Sequence, residues 1–179
     1  MRADDRFLLD TGPIIEYLAH SYREHTRQSW LAAEIQFHSL RTSRDQLAFG
    51  RFLERGRGRL WISWGVLTEI NVFTLRAEAR WLRITRFDTR QGFWDLALRS
   101  FNEFVVSGQA VDDRSAEREQ TEGLSHVDAG LIALSKKAWK QGQRPVVLTN
   151  EGELQKRCQH ENIEAPRIEE FLREFVDGL

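Results

Sequence analysis

The chain has little cysteine, little proline and no long apolar run, and each scarcity excludes a class of protein. Its single cysteine, Cys158, rules out an intramolecular disulfide and a cysteine-rich zinc site. The 179 residues include three prolines and no internal repeat or low-complexity linker, which favours one domain. Apolar runs of only a few residues, with a mean hydropathy of −0.51, exclude a membrane-spanning helix.

The amino-terminal segment also lacks the features of a signal peptide. MRADDR leads into a short apolar segment, without a long apolar region or a small-residue cleavage site. Together with the lone cysteine, this favours a reducing, cytoplasmic location. We expect Cys158 to lie in a helix and to have no redox role. The five histidines are scattered and form no H-x-x-x-H metal-ligand pair.

Lysine is scarce too, because arginine supplies 22 of the 26 basic residues. The net charge of −1 gives no general attraction to nucleic acid. Residues 41–59 nevertheless carry six arginines against two acids, and residues 76–90 carry five against two. We interpret these stretches first as solvated helix faces and second as surfaces for a phosphate backbone.

Apolar segments alternate with amphipathic ones along the chain, which predicts strands followed by helices. This alternation implies a mainly parallel sheet with helices on both faces, a three-layer α/β/α sandwich. We expect one domain over residues 1–179, with an extra helical insertion at about 21–58 that contains two helices. The predicted strands cover 6–11, 60–63, 145–149 and 163–166; the other predicted helices cover 13–20, 65–85, 91–106, 126–140, 151–160 and 168–176, with a polar helix or loop at 113–122.

Four acidic residues lie just past apolar runs or beside apolar helical stripes. They are Asp10 after FLL, Glu69 in VLTEI, Asp128 in SHVDA and Glu151 after VVLTN. Such positions are strand ends and helix starts, which an α/β sheet gathers into one crevice. Carboxylates crowded together repel one another unless a cation holds them, and oxygen ligands suit a hard divalent ion.

Each acid also has an interpretation without function. Asp10 can cap the following helix, and Glu69 can be a solvated helix residue. Asp128 and Glu151 suit the first turn of a helix because its dipole favours negative charge. The four together favour a metal site. Its chemistry matches phosphodiester hydrolysis, in which metals activate hydroxide and stabilise the leaving oxygen.

Four blocks, in this order, resemble the PIN-domain nucleases: FLLDTGPIIEYL, VLTEI, GLSHVDAGLIAL and VVLTNEGEL. The first resembles the opening strand with Asp-Thr, the third the helix with Asp followed by Ala, and the fourth the late strand ending in Thr. The blocks cover about a quarter of the chain, and no single one is specific. Glu151 stands where that family usually has Asp, and Glu153 is a weaker substitute. More residues separate Asp10 from Glu69 than in compact toxin-type members.

The resemblance implies a metal-dependent endonuclease with Mg²⁺ or Mn²⁺ bound by Asp10, Glu69, Asp128 and Glu151. Thr11 and Thr149 would add hydroxyls to the pocket. It further implies an endoribonuclease toxin of a toxin–antitoxin pair, with RNA as substrate, a small antitoxin protein as partner and a homodimer as assembly. Asn150 would contact phosphate or a ligand-bound water. The alternative is a catalytically decayed module that binds RNA or a protein partner.

Other hydrolase chemistries lack their residues. An aspartyl-nucleophile phosphatase needs Asp-x-Asp, yet Gly12 stands two positions after Asp10. DTGPII does not match the glycine-rich phosphate loops, and no G-x-S-x-G motif is present. A nuclease is therefore the preferred enzyme class.

Overall fold

The computed structural model describes residues 2–26, 40, 42–63, 65–70, 72, 118–119 and 123–177. Residues 65–70 are helical, and the remaining elements fall on either side of them. In chain order these are β1 (Asp5–Leu9), α1 (Thr11–Thr26), α2 (Ser43–Arg55), β2 (Leu60–Trp61), α3 (His126–Lys140), β3 (Arg144–Leu148), α4 (Gly152–His160) and α5 (Ile168–Asp177).

The three strands form a parallel sheet in the order β2-β1-β3. Phe7 pairs with Leu60 on one side and with Val146 on the other. β1 and β3 are nearly continuous apolar runs because a parallel strand between helices is buried on both faces. The α/β class and the parallel sheet are thus confirmed.

The fourth predicted strand is wrong in extent. Residues 163–166 contribute one parallel bridge, between Val146 and Glu164, where Val147 N–H donates to Glu164 O. Pro166 has no N–H to extend a ladder, and the chain turns into α5 two residues later. This edge therefore ends in a single bridge.

The core lies between the sheet and its helices. α3 covers β3 with a buried stripe that includes Leu131 and Leu134. On another surface, Phe52 of α2 meets Phe7 and Phe171 edge-on, at centroid distances of 5.1 and 5.0 Å. Such aromatic packing joins β1, α2 and α5 into one apolar body.

Several helix boundaries differ from the predictions. α1 continues to Thr26 rather than ending near His20, because neither glycine nor proline interrupts this segment. Residues 21–26 therefore belong to α1, and α2 is the described helix of the predicted insertion. Leu47, predicted to point inward, is 65% exposed. Gly142 follows α3 at φ +70°, a left-handed conformation that glycine tolerates and that ends the helix.

Some predictions concern other parts of the chain. Most of residues 71–122 and residues 27–39 lie outside the described ranges, including the predicted helix at 91–106 and the arginine-rich stretch 76–90. Within the described ranges, no helix combines the length and apolar character that a membrane crossing requires.

Candidate acidic site

Two of the four predicted acids follow adjacent parallel strands at their carboxyl ends. Asp10 comes directly after β1, and its N–H donates to Leu148 O at 3.2 Å. Glu151 comes three residues after the end of β3 and directly before α4. Because β1 and β3 are neighbours, both acids lie at the same edge of the sheet.

Both carboxylate oxygens of Asp10 are hydrogen-bonded. Oδ1 accepts the N–H of Thr11, the first residue of α1, at 2.6 Å. Oδ2 accepts the hydroxyl of Thr149 at 2.6 Å. One oxygen therefore serves the helix start, as a capping role predicts, while the other is tied to the end of β3.

Glu69 joins this edge from the helical segment 65–70. Its Oε2 accepts the Thr11 hydroxyl at 2.5 Å. The segment also approaches α3 closely at Gly65, where an added Cβ would lie 3.2 Å from the Cα of Val127. The glycine thus lets this helix approach the start of α3, where Asp128 is located.

Asp128 is 2% exposed and forms a reciprocal capping box with Ser125 at the start of α3. Its Oδ2 accepts the Ser125 hydroxyl at 2.6 Å and the Ser125 N–H at 3.2 Å. The Asp128 N–H donates to Ser125 Oγ at 3.1 Å. Sequence reasoning missed Ser125, although a serine three residues before an acid is the signal of such a box.

Glu151 differs from the other three acids. It occupies the N-cap position of α4, yet its side chain makes no capping hydrogen bond. Its backbone N–H donates to Thr149 Oγ1 at 3.0 Å, so the backbone is held while the exposed side chain is not fixed by the cap. The longer glutamate side chain can therefore adapt its position.

We call Asp10, Glu69, Asp128 and Glu151 the acidic cluster, because each lies within range of the others' charge. Burial raises the pKa of Asp10 to about 6; the bonds from Thr149 and Thr11 oppose that rise, and repulsion from Asp128 and Glu69 adds to it. Loss of hydration at its carboxylate raises the pKa of Glu151 to about 7, with repulsion from the other three acids adding to the rise. Among the described residues, no lysine or arginine forms an ion pair with the cluster.

The remaining predicted residues have specific structural roles. Asn150 Oδ1 accepts the Ile168 N–H at 3.0 Å, so the amide oxygen stabilises the start of α5. The hydroxyls of Thr11 and Thr149 donate to carboxylates of the cluster. Contacts of these three residues with substrate stay predictions.

Arg59 is placed away from the acidic cluster. Its guanidinium donates to Arg2 O and Arg55 O, and its own carbonyl accepts the Phe7 N–H. These contacts place Arg59 at the amino end of the sheet, opposite the acids. The interpretation of the arginine-rich stretch 41–59 as a phosphate-binding surface at the acids is therefore wrong for Arg59.

Cys158 lies in α4 with no exposed surface, as the prediction of a helical cysteine requires. Burial raises the pKa of its thiol to about 12, with further contributions from Asp128, Asp10 and Glu161. The thiol is protonated at neutral pH and shielded from reagents, which agrees with the absence of a redox role.

The donor chemistry of the cluster fits a hard divalent cation, since all its side chains offer carboxylate oxygens without a cationic neighbour in the described part of the chain. The side-chain positions are less favourable. In the described ranges, no group of three His, Cys, Asp or Glu side chains is arranged to hold a metal ion. Binding would therefore require side-chain rotation, which is easiest for Glu151 because no capping bond restrains it.

Comparisons with protein-family models, curated proteins and solved structures find no match to this chain.

Proposed function

We propose that this chain is a divalent-metal-dependent endonuclease, most specifically an endoribonuclease. The observation that carries the proposal is the convergence of four carboxylates at one sheet edge. Burial and mutual repulsion raise the pKa of two of them, Asp10 and Glu151. Such an arrangement is costly for a structural purpose alone, and perturbed pKa values are concentrated at functional sites.

Each acid has a distinct place in this proposal. Asp10 and Asp128 would be fixed oxygen ligands, because hydrogen bonds hold both carboxylates. Glu69 would be a further ligand or would orient water. Glu151 would complete the site by rotation. Mg²⁺ or Mn²⁺, when bound, would supply an activated hydroxide and stabilise the charge on the attacking and leaving oxygens.

The choice of RNA and the biological setting rest on the resemblance of the four sequence blocks to PIN-domain nucleases. That resemblance supports a three-layer α/β/α sandwich and the toxin half of a toxin–antitoxin pair. It also supports inhibition by a small antitoxin protein, assembly as a homodimer and a cytoplasmic location. The parallel sheet and the four acids, found at the positions that this likeness requires, agree with the proposal.

Cleavage of a mixed single-stranded RNA pool tests the activity. The parent protein is incubated with Mn²⁺ or Mg²⁺, and separately with EDTA, beside Asp10→Asn and the control Asp45→Asn. Asp45 is a matched control because it accepts hydrogen bonds at the start of α2, outside the cluster. We expect cutting that needs metal, survives in Asp45→Asn and falls at least 100-fold in Asp10→Asn, roughly the effect of losing one charge-stabilising group.

The alternative function is a decayed module that binds RNA or a protein partner without cutting. The observation favouring it is that no three metal-ligating side chains in the described residues are arranged around a common point. This module would bind labelled RNA equally with EDTA or Mn²⁺ and leave it intact. Cleavage by parent protein, abolished by Asp10→Asn, excludes the alternative.

A further inference from the structure

Two described helices begin with the same local motif in very different surroundings. α2 starts with a capping box between Thr42 and Asp45, and α3 starts with one between Ser125 and Asp128. The α2 box is exposed at the surface. In the α3 box the acid is 2% exposed and also belongs to the acidic cluster.

In the α3 box, one oxygen of Asp128 is committed to Ser125. Oδ2 accepts both the hydroxyl, at 2.6 Å, and the backbone N–H, at 3.2 Å. These two bonds restrict rotation of the carboxylate. Oδ1 is the oxygen that Ser125 does not engage, and the cap therefore sets its position relative to the other acids.

We propose that Ser125 is a positioning residue of the acidic site, and that its capping bonds hold the Asp128 carboxylate in a geometry ready for a divalent cation. This inference rests on the proposed function. Ser125 acts through Asp128 and has no contact with substrate in this role. Hydrogen-bond partners of metal ligands orient them, and their loss typically costs about 10–100-fold in metal affinity.

The capping function and the positioning function are separable by experiment. Alanine at either cap removes the hydroxyl, and we expect Ser125→Ala and Thr42→Ala to lower Tm alike, by about 2–4 °C. Glycine keeps most of the capping stability but also lacks the hydroxyl. Ser125→Gly therefore removes the bond to Asp128 with little loss of stability, and Ser125→Thr preserves the hydroxyl.

The measurement is Mn²⁺ titration of the full chain without RNA, with free Mn²⁺ followed by electron paramagnetic resonance. We expect Ser125→Ala and Ser125→Gly to raise the Kd for Mn²⁺ at least tenfold. Thr42→Ala and Ser125→Thr should stay within twofold of the parent. The readout is independent of catalysis, and the Thr42 variant subtracts any effect of losing a helix cap.

Two outcomes would overturn the inference in distinguishable ways. If the parent binds Mn²⁺ and Asp10→Asn does not, while Ser125→Gly binds like the parent, Ser125 has only a capping role and the proposed function is unaffected. If the parent itself binds no Mn²⁺, the metal-dependent function and the role of Ser125 both fail.

Discussion

Thr149 donates its hydroxyl to Asp10 Oδ2 at 2.6 Å, although 139 residues separate the two in the chain. The bond connects the ends of β1 and β3 across the edge that carries the acidic cluster. It favours the ionised carboxylate and so opposes the effect of burial on the pKa of Asp10. Thr149 is fully buried and also accepts the Glu151 N–H, so one hydroxyl organises two acids.

We expect Thr149→Val to raise the pKa of Asp10 above about 6, because the bond that lowers it is lost. The Asp10 carboxyl carbon, followed by ¹³C NMR during a pH titration, reports this pKa directly. Thr149→Ser, which keeps the hydroxyl, should titrate like the parent. An unchanged or lower pKa in the valine variant would show that the bond contributes nothing to the ionisation of Asp10.

The raised pKa of Asp10 also predicts how stability depends on pH. Its folded-state value of about 6 exceeds its ordinary value of 3.8, so the folded chain holds this proton more tightly than the unfolded chain. The free energy of unfolding therefore falls as pH rises between these values and stays lower above pH 6. The loss is on the order of 1–3 kcal/mol, given 1.36 kcal/mol for each pKa unit.

Asp10→Asn removes this ionisation and should flatten that part of the pH profile. We expect the variant to exceed the parent in Tm at pH 8, with the difference shrinking toward pH 4. Thermal unfolding in buffers from pH 4 to pH 8, without divalent metal, measures it, with Asp45→Asn as the control. Parallel curves for parent and Asp10→Asn would contradict the prediction. Glu151→Gln should act in the same direction up to about pH 7, and more weakly because the residue is exposed.

Local sequence signals were sufficient to locate most of the described elements and to nominate the acids. The apolar runs predicted β1 and β3, and the stripe from Val127 to Ala138 predicted α3 with its observed bounds. The expected gathering of acids at strand ends follows from the topology of parallel sheets, which constrains where chain segments converge.

The contacts between distant segments were not predictable in the same way. The position of Arg59 at the opposite edge of the sheet depends on how β2 aligns with β1. The hydroxyl targets of Thr11 and Thr149 depend on side-chain packing across segments far apart in the chain. Only Ser125 had an unused local signal, since the Ser-x-x-Asp spacing was sufficient to predict its bond to Asp128.

The closest described approach between the Glu69 helix and α3 is made possible by the absence of a side chain at Gly65. A Cβ there would lie 3.1 Å from Val127 Cγ2 and 3.2 Å from Val127 Cα, and the second contact involves the backbone of a buried helix. At Gly130, on the facing helix, a Cβ would meet Ser63 at an ordinary 3.6 Å. Two glycines at the same interface therefore face different steric limits.

We expect Gly65→Ala to lower the free energy of unfolding by about 1–3 kcal/mol, because the two helices must separate to admit the methyl group. Gly130→Ala should raise it by up to about 1 kcal/mol, since alanine favours the helix and fits the available space. Urea unfolding of both variants and the parent, at equal protein concentration, measures the difference. If Gly65→Ala proved as stable as Gly130→Ala, the 3.2 Å approach would not limit this interface, and Glu69 would not depend on Gly65 for its place beside Asp128.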